Sequence, residues 1–89
     1  MSGVLRRSLA SWRREHGFGV LHVVDPQGER FAVLPSLEGS PEHSRVLPWQ
    51  GRSESDLRVH LLSSGRQGDE IDEAIEIARE WTTSTTYRQ

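Results

Sequence analysis

The chain has 89 residues, 34% of them hydrophobic, and a formal net charge of −2. A chain of that length makes one domain with one thin core, to which a partner or a second copy would add stability. With no cysteine, disulfides and thiolate metal sites are excluded. No run reaches the roughly 18 apolar residues of a membrane helix, and the N-terminus lacks a signal-type apolar stretch, so a cytoplasmic location without membrane contact is expected.

All 11 basic residues are arginine, the side chain suited to two-point recognition of carboxylate or phosphate. Charge is segregated along the chain: Arg6, Arg7, Arg13 and Arg14 come early, and Asp69, Glu70, Asp72, Glu73, Glu76 and Glu80 come late.

Residues 3–16 read as a helix. Ser2 is placed to cap it, and Leu5, Leu9, Trp12 and His16 recur on one face. Gly17 suits the left-handed stop. The stretch from Phe18 to Pro35 is the densest apolar run and reads as a hairpin around Asp25-Pro26-Gln27-Gly28. The expected pairing puts Leu21, Val23, Phe31 and Val33 on the core face. Phe18, Val20, His22, Val24, Arg30, Ala32 and Leu34 then share the opposite face. Residues 36–56 break the rhythm with Pro41, Pro48, Gly39 and Gly51. They read either as a functional loop carrying Trp49 or as containing a short edge strand over Arg45–Trp49. Leu57–Ser63 alternates and reads as a strand. Residues 69–81 read as the strongest helix, with Ile71, Ala74, Ile75, Ala78 and Trp81 as its buried stripe. The tail from Thr82 is polar and β-branched, the composition of a disordered end or an added edge strand.

These elements predict an α+β fold in the order α-β-β-(β)-β-α. An antiparallel sheet of roughly three or four strands carries the N- and C-terminal helices as a small two-layer sandwich. Residues 1–81 form the domain and 82–89 a polar tail.

Catalytic chemistry is not visible. His16, His22, His43 and His60 show no ligand spacing for a metal, no serine sits in a nucleophile elbow, and the glycines match no phosphate-binding loop. The expectation is a non-enzymatic module without cofactor or metal. Asp69, Glu73, Glu76 and Glu80 fall along one face of the last helix with Asp72 beside them, a negative surface able to dock on a basic groove of another protein. Phage-encoded inhibitors that occupy nucleic-acid-binding grooves of bacterial defence complexes work on this principle. Phe18, Val20, His22 and Leu34 on the second sheet face, with Trp49 on the loop, would form a partner or homodimer interface.

The alternative is a small dimeric DNA-binding regulator contacting phosphates through Arg6, Arg7, Arg13 and Arg14, against which stands an isoelectric point near 6.1. A helix followed by VLHVVDPQGERFAVLPSLE, with Gly28 in the turn and Ala32-Val33-Leu34 in the second strand, resembles the N-terminal part of the Phd/YefM class of antitoxins. The resemblance covers about 30 residues and implies DNA binding as a dimer by this part and toxin binding by the C-terminal segment. Pro26 in the turn and the further element before the last helix depart from that pattern.

Overall fold

The structure, a computed structural model, describes residues 8–35 and 46–84. The first helix, α1, spans Leu9–His16. The Ser8 hydroxyl caps it by accepting from the Ser11 N–H at 3.2 Å. Gly17, at φ 84°, ends it and donates to the Arg13 carbonyl at 2.8 Å. The left-handed conformation there favours glycine over any residue with a Cβ. Ser2, Leu5, Arg6 and Arg7 lie outside the described residues.

The hairpin forms as β1, Gly19–Asp25, and β2, Gly28–Leu34. Its loop is only Pro26-Gln27, because Asp25 pairs directly with Gly28. The Asp25 carboxylate accepts from the Gln27 N–H at 2.9 Å and Gly28 takes φ 122°, so both ends of the turn are set by residue type. This register corrects the expected faces. Val20 pairs with Val33 and His22 with Phe31, so Phe18, Val20, His22, Phe31 and Val33 share the core face. Leu21 and Val23, expected in the core, are half-buried on the outer face with Ala32 and Leu34. The expected pairing implied one more residue in the loop. Side chains alternate with period two, so that one residue turns all of β1 over.

Past Pro48, β3 runs over Trp49–Gly51 as a short edge strand antiparallel to β2. The segment Leu57–Ser63, expected as a third long strand, is instead part of helix α2, Glu54–Ser63. Its alternation of leucine with arginine and histidine fits either period over so few residues. The decisive signal is the helix start. Ser53 accepts from the Asp56 N–H at 3.2 Å, and Glu54 and Asp56 stand in the first turn, where the helix dipole favours acids. Leu57 and Leu61, one turn apart, are both fully buried, whereas Val59 (63% exposed) and Leu62 (55%) point outward. The helix closes with Gly65 at φ 87°. The Arg66 N–H reaches the Leu61 carbonyl and the Gly65 N–H the Leu62 carbonyl, both at 3.0 Å, a Schellman ending.

Helix α3, Gly68–Glu80, buries Ile71, Ala74, Ile75, Ile77 and Ala78. Trp81 follows the last helical residue at φ −110° and is 43% exposed, so it leaves the core stripe in which it was expected. The chain then adds β4, Thr83–Ser84, parallel to β1 and pairing with Val23 and Val24. The sheet order is β3-β2-β1-β4. Phe18, Val20, Phe31 and Val33 from the sheet, Trp12 from α1, Leu57 and Leu61 from α2 and the α3 stripe form one continuous core. Each large side chain buried there contributes about 1.5–3 kcal/mol relative to exposure. The result is a small α+β fold with helices laid on one face of a mainly antiparallel sheet.

Candidate interaction surface

The outward side of the helical layer carries the acidic residues singled out in α3. Asp69, Asp72, Glu76 and Glu80 are exposed there. Glu73 is half-buried and accepts from the Trp12 indole N–H at 3.0 Å, so it ties α3 to α1. Asp72 accepts from Arg58 at 2.8 Å. Asp69 and Glu76 have neither an ion pair nor a hydrogen bond from a side chain among the described residues. Arg58 lies on the flank of α2 that meets α3, and the exposed Leu62 and Val59 lie further round the same helix. The exposed aliphatic residues of α2 thus follow round the helix from the flank at which Arg58 reaches Asp72.

A second concentration of charge, at the hairpin-turn end, was not foreseen from the sequence. Arg52 approaches both Asp25 carboxylate oxygens, at 3.2 and 3.4 Å, and also donates to Gln27 Oε1 and the Glu29 carbonyl. The hydrogen bond from Arg52 holds the Asp25 carboxyl below its ordinary range against burial, and the Gln27 N–H adds to the effect. Glu54 accepts from Arg79 and, a turn along α2, from Arg58 at 3.3 Å. Those two hydrogen bonds, Arg79 first, hold its carboxyl low while burial opposes them. Asp72 pushes Arg58 up in turn, with burial opposing and Glu54 assisting. The pairing of Glu54 with Arg58 at i, i+4 was legible once the segment is a helix; the pairs between elements required the fold.

The other sequence-predicted residues separate. Phe18 and Val20 are fully buried and His22 is 7% exposed, which corrects their assignment to an outer interface. Leu34 is half-buried on the outer face. Trp49 is half-buried, packs against the core and stacks on His60 with ring centroids 5.9 Å apart. Its indole lies so close over Gly51 that a Cβ there would meet the ring at 2.5 Å. His60 lies in α2 and not in the strand expected over Leu57–Ser63. Arg13 donates from Nε to the Pro35 carbonyl at 2.8 Å, and Arg14 is exposed on α1.

An open depression of about 380 Å³ lies where α1 meets the start of α3, lined by His16, Arg66, Asp69, Glu70 and Glu73. His16 stacks on Trp12 at 3.9 Å, and its Nδ1 lies 2.9 Å from Glu70, an acidic contact the sequence left unassigned. These contacts join α1 to α3 and present no nucleophile. Among the described residues no cluster of three or more histidine, aspartate or glutamate side chains is placed to hold a metal ion, and no helix is long and apolar enough to cross a membrane. Compared with family models, with curated proteins and with solved structures, the chain matches none.

Proposed function

We propose that the chain is a non-enzymatic protein-binding module that meets its partner with the outward side of α2 and α3. The observation that carries this reading is the combination of two unlike features on α2 and α3: Asp69 and Glu76 without counter-charges among the described residues, and the exposed Leu62 and Val59 of α2. Aliphatic side chains that leave water on docking set the lifetime of a complex, and a ring of one charge sets its approach rate and register. The partner is a protein with a basic rim around a shallow apolar seat. In its most specific form the module blocks a groove that otherwise holds nucleic-acid phosphates, its carboxylates standing in for them.

The test begins with affinity capture from the native host, then measurement of the purified pair by calorimetry at low and high salt. D69R/E76R is expected to weaken binding about tenfold or more and to flatten its salt dependence, while R13E/R14E leaves it unchanged. Binding lost with the α1 reversal and kept with the α3 reversal would favour a DNA-regulator reading and sink this one.

A further inference from the structure

The register that turns Phe18, Val20 and His22 inward leaves Leu21, Val23, Ala32 and Leu34 half-buried on the other face of the sheet. The helices pack on the core face through Trp12, Leu57, Leu61 and the α3 stripe. On the outer face Trp81, 43% exposed, borders an open depression of about 320 Å³ with Leu9, Leu21 and Thr83. A second depression, about 450 Å³, follows β2 and β3 and is lined by Ala32, Leu34, Pro35, Pro48 and Gln50. Ala32 and Gln50, paired across the two strands, belong to the outer face. In the sheet order β3-β2-β1-β4 the indole therefore stands on one side of this face and the second depression on the other. Charge gathers at the turn end, where Arg30 and Arg52 both reach Asp25 Oδ2, at 3.6 and 3.2 Å. The middle of the face is uncharged and carries an aromatic side chain, the composition of an interface core.

We propose that the outer face of the sheet docks a second copy of the chain, as a two-fold dimer anchored by Trp81. The helical side does not suit a twin, because Asp69 and Glu76 would meet the twin's own carboxylates. The outer face suits one twice over. A two-fold axis along the strands lays the β4 side of each copy over the β3 side of the other. Each Trp81 indole then enters the β2–β3 depression of its twin, and Leu21 and Ala32 close the middle between two sheets about 10 Å apart. The surface is limited. Four strands spaced by about 4.8 Å, the longer two about 24 Å long, give a flat footprint of at most roughly 450 Å². A standard interface takes about 800 Å² from each partner, so the dimer is weak and exchanges with monomer in the micromolar range. The same two-fold brings the two turn ends together, where Asp25 offsets only part of the arginine charge. Added salt therefore tightens the dimer, the opposite of its effect on the complex proposed for α2 and α3.

The experiment is sedimentation equilibrium on the full chain from about 5 to about 500 µM, with methyl and indole NMR spectra at both ends of that range. The mass is expected to rise from the monomer's 10.1 kDa towards twice that value, with shifts concentrated on Leu21, Val23, Ala32, Leu34 and Trp81. Trp81→Lys is expected to weaken association about tenfold or more, and added salt to tighten it in the parent. D69R/E76R leaves it unchanged, so loss of the dimer and loss of partner binding are read apart. The shifts of the parent chain locate the contact without any variant. A chain that stays monomeric at about 500 µM overturns the proposal. So do shifts that fall on Val59 and Leu62 instead, a dimer that salt dissociates, or one indifferent to Trp81→Lys in a folded variant.

Discussion

The molecule holds two concentrations of charge that are treated in opposite ways. At the hairpin-turn end, Asp25, Glu54, Arg52, Arg58 and Arg79 answer one another across β1, the residue after β3, α2 and α3. On the outward side of α3, Asp69 and Glu76 point to water with no counter-charge among the described residues. Composition alone does not separate them, since both are made of ordinary carboxylates and arginines. The difference is one of supply: α2 and the turn bring arginines to the first group, whereas among the described residues the arginines at the second, Arg58 and Arg66, are already held by Asp72 and Glu54 and by Glu70. Internal pairing orients elements relative to one another. Charge left over is free to orient a partner, and that is the basis of the proposed interaction surface on α3.

The comparison would fail first if ions and not apolar burial fixed α2 beneath both regions. Leu61→Ala is expected to lose about 2–5 kcal/mol, because Leu61 is fully buried and deletion leaves a cavity. In a domain of this size that lowers the melting temperature by about 4–8 °C per kcal/mol. A shift no larger than that of a surface variant would mean that the charge network carries the helix. The next largest effect is on binding, where D69R/E76R reduces affinity about tenfold or more with stability within about 0.5 kcal/mol of the parent. A matched loss of stability would show that these carboxylates belong to the fold.

A smaller effect comes from acid. Folded-state values are lowered for both Asp25 and Glu54, from ordinary values of 3.8 and 4.5. Their contribution to stability is therefore complete above those values and is lost as pH falls through the lowered ones. Urea midpoints should hold steady from neutral pH down to the ordinary carboxylate range and fall below it. Glu54→Gln should flatten part of that fall at a cost at neutral pH of under about 1 kcal/mol, since the Glu54 pairs are partly exposed. The smallest effect is expected at Arg14, where Arg14→Ala should change stability by less than about 0.5 kcal/mol, as for an exposed surface residue.

Much of this was legible in the residues themselves. Gly17 as a helix stop, the turn at Asp25-Pro26-Gln27-Gly28 and the apolar stripe of α3 up to Ala78 all rest on local chemistry within a few positions, whereas the edge strand formed over Trp49–Gly51 and not over the expected Arg45–Trp49. The helical nature of Glu54–Ser63 was legible too, in Ser53 followed by Asp56, but the alternation of Leu57, Val59 and Leu61 masked it. The face of the hairpin was less legible, because it hangs on whether two residues or three close the loop, and Phe18 and Val20 go in or out with that one choice.

What the sequence by itself determined is the first and last helices, the hairpin, the α+β class and the crowding of acids on the last helix, because capping, turn chemistry and periodicity act over one or two turns of chain. What only the tertiary structure decided is which charges are spent and which are left. Arg52 meets Asp25 and Arg79 meets Glu54 across 27 and 25 positions. His22 meets Thr82 across 60. Such pairs depend on the packing of whole elements, and no local pattern encodes them.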